Sequence, residues 1–464
     1  MRKTLLPLLA IFPVGFILLA FSQMSSAPGA GDPVENYRNH CAGCHGVEYK
    51  TFVDRDWQFI QSEAELGDII NAGMPDYGMP AFNGLFTENE VVELSELLWI
   101  ESQHQKATTV LEIPGLINSR HQIFSVDTLI ADLDVPWGIE FLSENDLLIT
   151  ERSGKLLHFE HGELKAEISG LPPMFVKGQG GLMDIELHPD FNSNGWIYLS
   201  YSYPDDEAGK TGNTAIMRGR LKGSEWVDLE ILFKGTPLSS SGVHFGCRLE
   251  FDRAGYLFFT IGERGNSSNA QDLTNHSGKV HRILDNGEIP SDNPFIGVPG
   301  AMKSIYSYGH RNPQGLAIHP ETGIMWVNEH GPKGGDEINI VQKGKNYGWP
   351  EITYGINYNG TIITEDTTKI GMEQPFLYWT PSIAPCGMCF VTSDQYSGWK
   401  GDVFSGSLSF TYLHRTDLRG SELVGEEKLL SKIGRVRAIE ESPEGILHVA
   451  VERPGMILRL LPVK

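Results

Sequence analysis

The sequence predicts two units of different class: a small all-α segment at the N-terminal end, followed by an all-β six-bladed β-propeller. Three observations carry this. Residues 41–45 read Cys-Ala-Gly-Cys-His, and apolar residues at helical spacing follow beyond residue 87. From about residue 123 six short β-rich runs recur, each an apolar alternation, a polar turn and a second strand. No helical periodicity of useful length interrupts them, and 464 residues exceed what one hydrophobic core usually organises.

The chain opens with Arg2 and Lys3, an uncharged stretch from Thr4 to Phe21, and small residues at Ser25 and Ala27. This is the layout of an export signal over residues 1–27. The uncharged stretch also reaches bilayer-spanning length, so a retained membrane anchor is the alternative. Either way the remainder is expected outside the cytoplasm, periplasmic or extracellular. A formal charge of -22 argues against nucleic acid and anionic membrane surfaces as partners. The 52 glycines suit many turns and short strands better than long helices.

Residues 32–103 form the first unit. Cys41 and Cys44, with His45 directly after, have the attachment spacing for c-type haem: two thiols add to the vinyl groups and the histidine ligates iron. A second axial ligand is expected on an irregular loop, at Met79 in Met79-Pro80-Ala81-Phe82, with Met74 as the rival. Thr87 and Glu90 make a capping box, and Val91, Leu94 and Leu98 recur at helical spacing behind it. About 70 residues bury little core alone, so covalent haem c would supply the missing apolar centre. The segment resembles the small class I c-type cytochromes over its whole length.

A polar linker, residues 104–122, leads into the second unit, residues 123–464. Its β-rich runs are Gly138–Arg152, Asp184–Ser202, Leu249–Glu263, Leu316–Glu329, Met388–Ser409 and Ile439–Glu452. Several share a Pro-then-Gly turn, as in His319-Pro320-Glu321-Thr322-Gly323 and Ser442-Pro443-Glu444-Gly445. Runs at this spacing suggest the blades of a propeller, whose insertions gather at one end of a central channel. A large β-sandwich or β-helix is the alternative.

Glycine-rich loops mark the chemistry. Gly178-Gln179-Gly180-Gly181 precedes a His-Pro turn, while His244 and Glu263 bracket a predicted hairpin that brings a carboxylate to an imidazole, as a general base requires. A purely structural histidine is the other reading. Arg311, in Gly309-His310-Arg311-Asn312-Pro313-Gln314-Gly315, suits an anionic ligand. Carbonyls at Gly331 and Pro332 suit calcium, and Arg435 and Arg437 add two guanidinium groups expected on one side of a strand. Taken singly, these arginines read equally as surface ion pairs and the glycines as turn formers. Cys386-Gly387-Met388-Cys389 lacks a redox context, and structural thiols or a nearby disulfide suit it better than zinc.

Through these loops, and through GPKGGDEIN followed by Gly344-Lys345-Asn346-Tyr347-Gly348-Trp349-Pro350, the second unit resembles the soluble quinoprotein glucose dehydrogenases and, more closely, the aldose sugar dehydrogenases. The resemblance runs from about Pro136 to the C-terminus and implies a six-bladed propeller binding pyrroloquinoline quinone and calcium. It makes His244 the base, Glu263 the group that orients it, and Gln179 a wall of the substrate and cofactor pocket. Arg311 and Asn312 would bind the quinone, Arg311 near its reacting carbonyls. Gly331 and Pro332 carbonyls would hold the cofactor's calcium, and Glu337 with the Tyr347 carbonyl a second, structural calcium. Arg435 and Arg437 would meet cofactor carboxylates.

The chain departs from the family at three of these positions: Ser409 stands for a cofactor-binding Lys, His330 for a Gln and Ser382 for a Thr. Loss of the lysine would cost about 1.5–3 kcal/mol of cofactor binding. The expected activity is oxidation of an aldose or related alcohol to a lactone. Electrons would pass to the fused haem and on to an external cytochrome, copper protein or respiratory chain. Two alternatives remain on these residues: an electron-transfer propeller that has lost the quinone, and a calcium-dependent lactonase.

Overall fold

The computed structural model describes residues 31–45, 60, 62–74, 79–104, 115–205 and 209–463. The leader, residues 1–27, lies outside the described residues. Among those described, no helix is long and apolar enough to cross a membrane.

The first unit is helical: Pro33–His40, Ala42–His45, Glu63–Ala72 and Glu88–His104. The last helix starts on the expected capping box, Thr87 N donating to Glu90 Oε2 at 2.8 Å and Glu90 N to Thr87 Oγ1 at 3.3 Å. Glu90 also accepts from Gly31 N at 3.0 Å, tying the start of the unit to this helix. Val91, Leu94 and Leu98 are buried in one cluster with Tyr37, Leu66 and Ile70. The helix runs to His104, and Ile117–Asn118 is already a strand, so the stretch expected as a plain polar linker carries structure at both ends.

Six sheets follow, and each predicted run forms the first two strands of one. The innermost strands are Pro136–Ser143, Leu182–Leu187, Leu249–Phe251, Pro313–Ile318, Pro385–Phe390 and Val436–Glu441. All pairings within the blades are antiparallel. The sixth blade takes its outer strands from the far end of the chain: Ile123–Ile130 pairs with Met456–Pro462, and Arg459 holds Asp127 at 2.6 Å. This closes the ring and leaves no open sheet edge at the join.

The blades share a register mark. In each, a residue at the end of the second strand donates its N–H to the residue just before the innermost strand: Arg152 to Val135, Ser202 to Gly181, Thr260 to Arg248, His330 to Asn312, Leu408 to Ala384 and Glu452 to Arg435. These six bonds define one end of the ring. Five residues further along three of the inner strands stand Glu140, Glu186 and Glu440, and with Glu250 of the third blade they occupy inner-strand ladder positions around the channel. Burial pushes the Glu140 carboxyl up to about 7 and the Glu250 carboxyl up to about 8, Asp184 adding to both and Glu140 to the latter.

Arg248 sits where the blades converge. Its guanidinium donates to Asp184 Oδ1 at 2.7 Å, to Gln314 O at 2.9 Å and to Arg437 O at 2.6 Å, and packs over the Trp137 ring at 4.0 Å. One side chain of the third blade thus reaches all five others, because Cys386 Sγ also lies 3.6 Å away. Cys247, Cys386 and Cys389 are buried free thiols.

Candidate active site

The loops at the register-marked end bring most of the candidate residues together. The His244 backbone is left-handed, φ 53°, and its N–H donates to Gln179 Oε1 at 2.9 Å. Gln179 N in turn donates to Gly242 O at 2.7 Å. A side chain at Gly178 would come within 2.4 Å of that same carbonyl, and its φ is +59°, so this position must be glycine. The two loops therefore fix one another.

His244 Nδ1 lies 2.8 Å from Glu263 Oε1. Burial pulls the imidazole below the usual histidine range, outweighing the carboxylate, and Arg311 and Arg264 add to the lowering. Burial would push the Glu263 carboxyl up, but His244 and Arg311 outweigh it and hold it low. The pair is a neutral imidazole beside an ionised carboxylate, which fixes the proton on Nδ1 and leaves Nε2 as an acceptor. Glu263 is placed by its own N–H on Arg311 O at 2.8 Å and by Asn269 Nδ2 on its carbonyl at 2.9 Å. Behind His244, Arg264 donates to Ser241 O at 2.6 Å and to Val243 O, with its guanidinium 3.4 Å from the Phe245 ring centroid.

Arg311 follows in the next blade. Glu329 Oε2 accepts its backbone N–H at 2.7 Å, and its Nη1 donates to Gly331 O at 2.6 Å and His330 O at 3.2 Å. Asn312 Oδ1 accepts from Gly246 N at 3.3 Å. Three buried polar atoms of this group have no partner: Glu263 Oε2, Arg311 Nε and Asn312 Nδ2. Buried donors and acceptors are normally paired. An acceptor and two donors left open on adjoining residues fit a polar, flat ligand such as the quinone.

The remaining candidates flank this group. His330 Nε2 lies 3.0 Å from Pro385 O, and burial, with Arg437 and Arg311, keeps it neutral. Gly331 N donates to Asp336 Oδ1 at 2.7 Å; Ser382 Oγ donates to the same oxygen, and Ala384 N to Asp336 Oδ2 at 2.7 Å. Burial pushes the Asp336 carboxyl up to about 6. Ser409 is 1% exposed and donates to Ser382 O at 3.3 Å, so it is folded into the wall rather than presented to the pocket. Arg435, just ahead of the strand Val436–Glu441, and Arg437 within it share Glu452, which accepts from Arg435 Nε at 2.7 Å and from Arg437 Nε at 2.6 Å. Arg437 Nη1 also reaches Gln314 Oε1 at 2.8 Å.

Oxygen donors suited to calcium occur at two places. Gly331 carries one carbonyl, engaged by Arg311, next to Pro332. A side chain at Gly331 would meet Gly335 O at 2.2 Å, so the backbone there is tightly folded. Deeper in the blade, Asn339 Nδ2 bridges Glu329 Oε1 at 2.9 Å and Glu337 Oε2 at 3.0 Å, while Asn339 Oδ1 has no partner. Burial and then Glu329 push the Glu337 carboxyl up to about 8. Two carboxylates and an open amide oxygen fit a hard cation. Tyr347 stacks on His310, centroids 4.7 Å apart, and His310 Nδ1 lies 2.9 Å from Glu329.

In the helical unit Cys41 and Met79 both pack on the apolar cluster, as a haem between them requires, and Met74 pairs with Met79 through two backbone bonds, 2.8 and 3.1 Å. Cys44 and His45 lie on the Ala42–His45 helix. Sequence reasoning missed Glu452, Arg264, Asp336, Glu329 and Arg152. A glutamate closing the second strand recurs in Thr150-Glu151-Arg152 and Asn328-Glu329-His330, which is the signal that could have found two of them.

The Glucose / Sorbosone dehydrogenase family profile matches residues 133–459, and the profile of cbb3-type cytochrome c oxidase subunit III matches residues 29–98. Aldose sugar dehydrogenase YliI of Escherichia coli is 45% identical over 346 residues, 73% of this chain and 93% of that protein. The apo-form crystal structure of the soluble aldose sugar dehydrogenase from Escherichia coli superposes with a TM-score of 0.70 at 42% identity, covering 73% of this chain and all of that one. The PQQ-bound aldose sugar dehydrogenase of Streptomyces coelicolor gives 0.59 at 26% identity, over 76% of this chain and 100% of its own. With its six-bladed propeller and the loops just described, the chain belongs to the glucose / sorbosone dehydrogenase family and carries a cytochrome c domain ahead of it.

Proposed function

We propose that the chain is an exported quinohaemoprotein that oxidises aldose sugars or related alcohols to lactones, using pyrroloquinoline quinone and calcium, and passes the electrons to its own haem c. The observation that carries this is the His244–Glu263 pair, 2.8 Å apart, set beside the unpartnered Arg311 Nε and Asn312 Nδ2. The PQQ-bound relative and the sugar dehydrogenases of Escherichia coli support it.

His244 Nε2 takes the hydroxyl proton of the sugar, and Glu263 holds the imidazolium that forms. Arg311 and Asn312 bind and orient the quinone, Gln179 lines the substrate side, and Arg435 and Arg437 meet carboxylates of the cofactor. His330, Ser382 and Ser409 border the cofactor. Gly331 and Pro332 carbonyls would hold the cofactor's calcium, and Glu337 with the Tyr347 carbonyl the structural one. Bound there, the quinone supplies a two-electron acceptor whose carbonyl calcium polarises. Cys41 and Cys44 attach the haem, and His45 and Met79 ligate its iron. The units are 32–103, joined by 104–122 to 123–464, with 1–27 as cleaved signal or membrane tether. An external cytochrome, copper protein or respiratory chain takes the electrons onward.

Purified protein loaded with quinone and calcium is given a panel of aldoses and alcohols while the haem spectrum is followed. Reduction of the haem by at least one sugar is expected, and its loss on calcium chelation. A haem that stays ferric across the panel overturns the proposal.

A further inference from the structure

Arg152 is the first-blade counterpart of His330 and Glu452: all three make the same backbone bond at the same end of the ring. It is half-buried, yet its guanidinium has no hydrogen-bond or ion-pair partner among the described residues. It packs against the loop that carries Gln179. The Arg152 carbonyl and Cγ sit 1.8 and 3.1 Å from where a side chain at Gly181 would start, so that glycine is what admits it.

Its electrostatic neighbours are Glu452, Arg437, Arg435 and Arg453. The one carboxylate in that set, Glu452, is already shared: Oε2 holds Arg435 and Oε1 holds Arg437. Three or more guanidinium groups therefore face one saturated anion at the wall of the site. A half-buried cation without a counter-ion is costly unless an incoming anion completes it. The family-type lysine is absent at Ser409, and Ser409 itself is turned into the wall, so the arginine side is where positive charge remains.

Resting on the function proposed above, we infer that Arg152 binds a carboxylate brought into the site, in two-pronged fashion, from the first-blade wall. Two sources carry that chemistry: the quinone, which is a tricarboxylate, and an acidic sugar such as a uronic acid. The site thereby replaces a point-charge lysine on the fifth blade with a planar, fork-shaped donor on the first.

The test compares wild type, Arg152→Met and Arg152→Lys as full-length haem-loaded protein. Calorimetry measures quinone binding in the presence of calcium, and kcat/KM is measured for glucose and for glucuronic acid at saturating quinone. A quinone Kd raised roughly 10- to 100-fold in Arg152→Met assigns the carboxylate to the cofactor. Unchanged quinone affinity with a selective 10-fold or larger loss of kcat/KM for the acid assigns it to the substrate. Wild-type levels on both measures overturn the inference alone; wild type that binds no quinone overturns the underlying function as well. Should Arg152→Met fail to fold, Arg152→Lys carries the test, since loss of the fork with the charge kept lowers the same affinity several-fold, and an unchanged value overturns it.

Discussion

At the scale of single residues the chemistry rests on which proton His244 carries. Burial keeps the imidazole below the ordinary histidine value near 6.5, so the neutral, active form already predominates at that pH. The acid limb of kcat/KM for an aldose is therefore expected below pH 6.5. Glu263 opposes that lowering, so Glu263→Gln should move the limb to still lower pH while the plateau falls. His244→Ala should lower the plateau by roughly 10²- to 10⁴-fold. A limb that shifts upward in Glu263→Gln contradicts the arrangement. This pair was legible because both residues sit in short glycine-bounded loops at the ends of one hairpin. The electrostatic pairing of Glu452 with Arg152 was not, since it forms only after the sixth blade closes beside the first.

At the scale of elements, the innermost strands were readable and the outermost were not. Leu182–Leu187 and Val436–Glu441 begin with four consecutive buried residues, whereas Glu225–Lys234 and Glu422–Leu429 are mostly exposed, Leu229, Ile231, Leu423 and Val424 included. An outer strand packs against fewer neighbours, so its side chains are less constrained. In the helical unit the readable feature was the capping box. Thr87→Ala removes a helix-start acceptor and should cost about 1 kcal/mol, read as a lower unfolding temperature of the haem absorbance transition, with the propeller transition unmoved. Equal shifts in both transitions would mean that the helix cap is coupled to the ring.

At the scale of the whole molecule, one guanidinium reaches each of the other blades and one group of carboxylates spans four of the six. Arg248→Met leaves Asp184 buried and uncompensated, and should cost about 3–5 kcal/mol by denaturant unfolding. A loss below about 1 kcal/mol would mean that Arg248 is not a joint of the ring. The four channel glutamates act through pH. Glu140 and Glu250 titrate in the folded state near 7 and near 8, above the unfolded value of about 4.3. Their contribution is complete below the unfolded value and is lost as pH rises through 7 to 8. The melting temperature should fall between about pH 5 and pH 8, where these carboxyls are ionised in the unfolded chain but still protonated in the folded one, and Glu250→Gln should flatten that decline. The join between Ile123–Ile130 and Met456–Pro462 has a temporal consequence for biogenesis. Ile123–Ile130 precedes the other five blades in sequence, whereas its long partner Met456–Pro462 follows them all. Until that later strand has been made it can form only its short pairing with Ile117–Asn118. The sixth blade is therefore the last of the ring to be completed during synthesis.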